Sequence, residues 1–112
     1  MKTTTPTALP SAVTRYLAAA NRHDARAAAD CFTSDATVHD ESHDHVGRDA
    51  VRRWLEETGR KYLPAYTLMR ADRRGDQLSL SVAVAGRFPG SPVTLDYELR
   101  LQDGKIASLT IA

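Results

Sequence analysis

The sequence predicts an α+β fold: three N-terminal helices packed on a curved antiparallel β-sheet, with a cone-shaped hollow left between the two layers. Three observations predict it. Apolar residues recur with helical spacing only in the first half of the chain. From Ala65 onward the pattern changes to period two and keeps that period almost to the end. The two kinds of segment are also segregated along the chain, which argues against a parallel sheet of alternating strands and helices. A sheet with one apolar face must cover it, and the helices are the only cover this sequence offers. Long strands that curl around helices leave a cavity open at one end, where a ligand site is expected.

Each element has its own signal. Pro10 suits the first turn of a helix, where its missing N–H costs nothing. Val13, Tyr16, Leu17 and Ala20 then form one stripe. Asp24 is an N-cap for a second helix over residues 25–32, which places Ala28, Cys31 and Phe32 on one side. Residues 36–40 read as a short strand, residues 41–44 as a turn, and His45-Val46 as a segment pairing back. Gly47 opens a third helix with Asp49 in its first turn, an inner stripe of Val51, Trp54, Leu55 and Thr58, and Gly59 as its stop before Pro64. Strands follow over residues 65–71, 77–88, 93–102 and 105–112, separated by Gly75-Asp76, by residues 89–92 and by the hairpin pair Asp103-Gly104. Leu78, Leu80, Val82 and Val84 share one face of the second of these, opposite Ser79, Ser81, Ala83 and Ala85.

Composition bounds the function. A chain of 112 residues is one domain's worth, here residues 10–112 behind a flexible segment 1–9. The net charge of +1 gives no long-range field to draw nucleic acid or an anionic membrane. Cys31 is the sole cysteine, so no internal disulfide forms; it reads as a small buried hydrophobe. The Thr/Pro-rich start lacks the apolar stretch of a signal peptide, and no window approaches the roughly 20 apolar residues of a membrane span. A cytoplasmic location is expected.

The run Arg15-Tyr16-Leu17-Ala18-Ala19, then Asn21, Asp24, Phe32 and residues 35–40 (DATVHD), resembles the opening of bacterial ketosteroid isomerases. Residues 47–54 (GRDAVRRW) are similar to the next helix of that family and of SnoaL-like proteins, and residues 103–106 (DGKI) to their last hairpin. The resemblance implies the cone-shaped fold of nuclear transport factor 2, a scaffold that hosts isomerases, cyclases, dehydratases, epoxide hydrolases and non-enzymes. It also implies roles: Tyr16 falls on the oxyanion-stabilising tyrosine and Asp40 on the general base. The isomerases are the worked case of an aspartate base facing an oxyanion hole of a tyrosine and a protonated aspartic acid. Local lettering places Asp96 on that acid, yet Leu99 and Leu101 must face the core, so parity turns Tyr97 inward and Asp96 outward. The family's extra C-terminal tail is missing after Ala112, which implies a more open mouth.

Proton abstraction beside a carbonyl needs a carboxylate at the C–H and donors where negative charge develops. Asp40 shares parity with Ala36 and Val38, faces inward, and is desolvated there, which raises its pKa. Tyr16 and Tyr97 are the candidate donors, and Trp54, Leu55, Tyr66, Val82 and Leu99 the apolar walls. Plainer roles stand beside these: Tyr16 and Trp54 as core packing, Asp40 as a cap or as the partner of Arg48, Arg52 or Arg53. The run His39, Asp40, Glu41, His43, Asp44, His45 has metal-ligand types, but its spacing fits no common site and reads as a polar rim. No metal and no cofactor is expected. The ligand is a small hydrophobic carbonyl or enol compound, and the reaction an isomerase- or cyclase-type proton transfer. A non-catalytic module for small-molecule binding or dimerisation is the alternative. The small residues Ser79, Ser81, Ala83 and Ala85 suit a homodimer through the outer sheet face.

Overall fold

The computed structural model describes residues 9–112; the segment 1–8, most of the stretch expected to be flexible, lies outside the described residues. The elements run α1 (Ser11–Asn21), α2 (Ala25–Ala29), β1 (Phe32–Asp40), β2 (His43–Val46), α3 (Arg48–Tyr62), β3 (Ala65–Arg74), β4 (Gln77–Ala85), β5 (Val93–Gln102) and β6 (Lys105–Ile111). The six strands form one mixed sheet in the order β2-β1-β6-β5-β4-β3.

Two features of the expected layout are corrected. The helices do not all precede the sheet, because α3 follows the β1–β2 hairpin. Nor is the sheet purely antiparallel: β6 inserts between β5 and β1 and pairs parallel with β1. Alternation could not reveal this, since period two is the same in parallel and antiparallel strands. Several boundaries also move, β3 running on past Ala71 to Arg74 among them. α2 ends at Ala29, and Phe32 begins β1 instead of closing the helix; Ile106 donates its N–H to the Cys31 carbonyl at 2.9 Å and draws this segment into the sheet. His43 and Asp44 belong to β2, so the hairpin turn is only Glu41-Ser42, both at positive φ. α3 runs through Gly59 to Tyr62, and the left-handed residue that ends it is Leu63 at φ 45°, ahead of Pro64. β4 stops at Ala85 because Gly86 must pass close to α3. An added Cβ at Gly86 would lie 2.6 Å from the Tyr62 carbonyl oxygen, which accepts from the Arg87 N–H at 2.6 Å.

The core follows the stripes. Val13, Tyr16, Ala19 and Ala20 of α1 are buried with Ala28 of α2 and with Val51, Trp54 and Leu55 of α3. Leu17, expected on the stripe, is only half-buried, while Ala12 takes a buried place. The inner rows of β4 and β5 meet in register as Leu78↔Leu99, Leu80↔Tyr97, Val82↔Leu95 and Val84↔Val93. Asn21 fastens α1 to the start of β3 at two points, donating to the Tyr66 carbonyl at 3.0 Å and accepting from the Tyr66 N–H at 2.7 Å. Asp24 caps α2 by accepting from the Ala27 N–H. β3 is an edge strand with Met69 bulged out and exposed, an irregularity that discourages pairing with another chain.

Candidate functional site

The sheet is not covered along its whole length. At one end a cavity of about 530 Å³ opens, lined by Asp40, Trp54, Tyr66, Tyr97 and the apolar side chains Val84, Phe88, Val93, Leu95 and Ile111. Asp40 reaches it because it ends β1 on the face already taken by the fully buried Ala36 and Val38. The tight Glu41-Ser42 turn then carries the chain away. Its carboxylate is half-buried, and Oδ2 accepts from the indole N–H of Trp54 at 3.1 Å. Burial raises the Asp40 pKa from its ordinary 3.8, and the Trp54 hydrogen bond partly opposes the rise. Two of the arginines expected as its partners are engaged elsewhere: Arg48 donates to the Phe32 carbonyl and Arg52 pairs with Glu56.

Opposite Asp40 stand two phenols. Burial pushes the Tyr66 hydroxyl up to about 12, and moves that of Tyr97 further up; in both cases the nearby Asp40 charge adds to the rise. Both stay protonated at neutral pH and can only serve as neutral hydrogen-bond donors or acceptors. Both residues line the cavity, where their hydroxyls can meet a bound molecule. Parity turns Tyr97 inward at 2% exposure and leaves Asp96 on the outer face, exposed to solvent.

Of the eight residues singled out in the sequence, Asp40, Trp54, Tyr66 and Tyr97 converge on the cavity. Tyr16, Leu55, Val82 and Leu99 are not on its lining. Tyr16 is buried behind the wall, edge-on to Phe32 at 5.4 Å, with Tyr97, Tyr66 and Asp40 within electrostatic reach of its phenol. Val82 and Leu99 are fully enclosed where the helices fill the sheet, and Leu55 packs in the core beside them. Val84, Val93 and Leu95 were missed as walls although parity already placed them inward. Phe88 could not be read as a wall while it counted as the end of a strand. From its loop it meets Tyr62 edge-to-face at 5.8 Å. The histidine run does not converge: His39 pairs outward with Asp44 at 2.6 Å, His43 bonds the Glu41 carbonyl, and His45 lies against Trp54. Among the described residues no group of three or more His, Cys, Asp or Glu is placed to hold a metal ion. No helix among them is long and apolar enough to cross a membrane.

The family model of the SnoaL-like domain matches residues 13–109. The chain belongs to the SnoaL-like family. Solved structures agree in fold. A Sinorhizobium meliloti protein named as a candidate polyketide cyclase has a TM-score of 0.89 and 36% identity, over 93% of this chain and 95% of its own. A Catenulispora acidiphila protein described as having a ketosteroid isomerase-like fold, solved with trimethylamine, has a TM-score of 0.81 at 24% identity over 92% and 85% of the two chains. SalBIII, an epoxide hydrolase/cyclase-like enzyme in pyran-ring formation of the polyether salinomycin, has 0.78 at 20% identity over 90% and 86%. Among curated proteins no sequence matches significantly. The SnoaL-like domain thus comes with neighbours named for cyclase, epoxide hydrolase and isomerase chemistry, a spread that makes the site itself the basis for choosing among them.

Proposed function

We propose that this SnoaL-like protein is an enzyme of the isomerase or cyclase type that moves a proton on a small hydrophobic carbonyl compound held in the cavity. The observation that carries the reading is the half-buried Asp40 carboxylate, paired with no cation among the described residues, on the wall of a largely apolar hollow that also holds two phenol hydroxyls. Ionised Asp40 accepts the proton from the carbon beside the carbonyl, and the electron pair moves onto the oxygen. Tyr97 and Tyr66 donate hydrogen bonds to that oxygen as its charge develops. Protonated Asp40 then returns the proton to another carbon; or the enolate carbon attacks a second carbonyl of the same molecule to close a ring, the π electrons of that C=O move onto its oxygen, and this oxygen takes the proton back from Asp40. The raised pKa helps, because a stronger base abstracts a carbon-bound proton more readily.

The test is isomerisation of a β,γ-unsaturated model ketone. Wild type is expected to accelerate it, and Asp40→Asn to lose roughly 100- to 10,000-fold in kcat/KM. Equal rates for the two proteins remove Asp40 as the base. A second reading has one observation behind it. Asp96 stands on the outer face and adds no second acid to the cavity beside Asp40, and the same hollow would then serve as a non-catalytic small-molecule-binding module. Ligand binding without turnover of any carbonyl substrate would favour it. The proposed partner surface is the outer face of β4, where Ser79, Ser81, Ala83 and Ala85 allow a second copy to approach closely; a monomeric mass by light scattering would reject it.

A further inference from the structure

The carboxylate of Asp40 sits on a short side chain at the very end of a strand, next to a two-residue turn. The backbone of Glu41 in that turn makes one hydrogen-bonding contact with it. The side chain that does so comes from α3. Trp54 is 7% exposed, and its indole N–H meets Oδ2 at 3.1 Å. The indole is in turn backed by β2. His45, which sits opposite Val38 in the hairpin, lays its ring 5.8 Å from the indole at 33° between planes. Trp54 also stands between two spaces. On one side is the apolar cavity, on the other a more polar cleft of about 500 Å³ that His43, His45, Glu57, Arg60 and Lys61 help to line.

We infer that Trp54, braced by His45, is a positioning residue for Asp40: it holds one carboxylate oxygen and leaves the other for the substrate. This rests on the proposed role of Asp40 as base. The chemistry suits the task, because an indole N–H only donates and neither accepts nor loses a proton at working pH. It fixes the carboxylate without competing for the substrate's proton. A base held in one orientation keeps its reacting oxygen near the C–H, and a misplacement of about 1 Å can cost roughly 100-fold in rate.

The test needs a readout that turnover does not supply, and Trp54 provides one as the sole tryptophan of the chain. Its indole N–H gives a single NMR resonance. Other groups face this carboxylate: Glu41 and His45 from the hairpin, and Tyr16, Tyr66 and Tyr97 from α1, β3 and β5; Glu57, Arg60 and Lys61 lie across the polar cleft. Variants are therefore needed to assign the titration. In wild type the resonance is expected to move as Asp40 ionises. Asp40→Asn should abolish that inflection, and His45→Gln should leave it in place. In turnover of the model ketone, Trp54→Phe should lower kcat roughly 10- to 100-fold with KM changed far less. Its acidic limb should shift to higher pH, because a bond favouring the carboxylate is gone. Loss of turnover in Asp40→Asn with an unchanged indole titration overturns the positioning role alone. Equal turnover in wild type and Asp40→Asn overturns the base and the positioning role together, even where the titration shows the hydrogen bond. If Trp54→Phe fails to fold, the wild-type, Asp40→Asn and His45→Gln titrations still decide the bond.

Discussion

The two ends of one sheet face behave differently. At the closed end Leu78, Leu99, Leu109 and Ile106 are 0–3% exposed and belong to one cluster with the helices. At the hollow end Tyr66, Val93 and Leu95 remain half-buried and face a cavity instead of helix side chains. The strands are the same and so is the alternation. What differs is the cover: α1, with α2 stacked against it and α3, packs over one end, while the other is bounded by the last turns of α3, Pro64 and the Phe88 loop. The polar groups follow this division. The buried inner rows carry only apolar side chains where the helices close them, whereas Asp40 and the hydroxyls of Tyr66 and Tyr97 gather where they do not. A polar group enclosed without a partner costs on the order of 1–3 kcal/mol, so such groups belong where a ligand or water can meet them.

The sharpest way to break this comparison is to truncate one leucine at each end. Leu99→Ala should cost about 2–5 kcal/mol, because the surrounding packing cannot collapse into the space left. Leu95→Ala, four residues away on the same face, should cost roughly 1 kcal/mol, since its side chain already borders empty space. Urea midpoints for the two variants check the difference. Similar losses would mean that the hollow end carries as much packing energy as the closed end.

That division was only partly legible in the sequence. Parity alone placed Tyr97 inward and Asp96 outward, and placed Asp40 in line with Ala36 and Val38, because a period of two leaves no freedom once one face is buried. Trp54 and Tyr66 were legible as apolar residues at the right spacing. What alternation cannot say is how far along each strand the helices reach. Val82 and Leu99 carry the same signal as Val84 and Leu95, and only the docking of α1 and α2 separates core from wall. The parallel pairing of β1 with β6 was hidden for a related reason, since it depends on which strands become neighbours and not on which face is apolar. Gly59 misled because a helix tolerates a glycine at a cost of about 1 kcal/mol where tertiary contacts hold both flanks. The true stop, left-handed Leu63 before Pro64, is set by the close passage of Gly86.

A second contrast sharpens the first. Tyr97→Phe keeps the ring that packs the wall and removes only the hydroxyl. That hydroxyl belongs to a residue lining the cavity, so stability should change by less than about 1 kcal/mol. Turnover should fall roughly 100-fold if the hydroxyl meets the developing oxyanion. Tyr16→Phe, at a phenol off the cavity lining, should have a smaller kinetic effect. Steady-state rates beside thermal melts separate the two effects, and a Tyr97→Phe enzyme with full activity would move the donor role to Tyr66.

The smallest effect expected is on stability against pH, and it has a definite sign. Burial raises the Asp40 pKa in the folded chain above the ordinary 3.8. A raised acid favours folding fully below its unfolded value, and that contribution is lost as pH rises through the folded value. Wild type should therefore lose a little stability between about pH 3.8 and the raised pKa. Asp40→Asn can still accept from Trp54 but has no charge to desolvate. It should match wild type at low pH and exceed it near neutrality, by less than about 1 kcal/mol because the carboxylate keeps contact with solvent. Melting curves of both proteins from pH 3 to 8 check this (roughly the span over which carboxylates titrate). A variant less stable than wild type at neutral pH would mean that the ionised carboxylate is held by favourable contacts, as in an ordinary structural aspartate. The hollow end would then be a rigid wall, with no base kept at a cost to the fold.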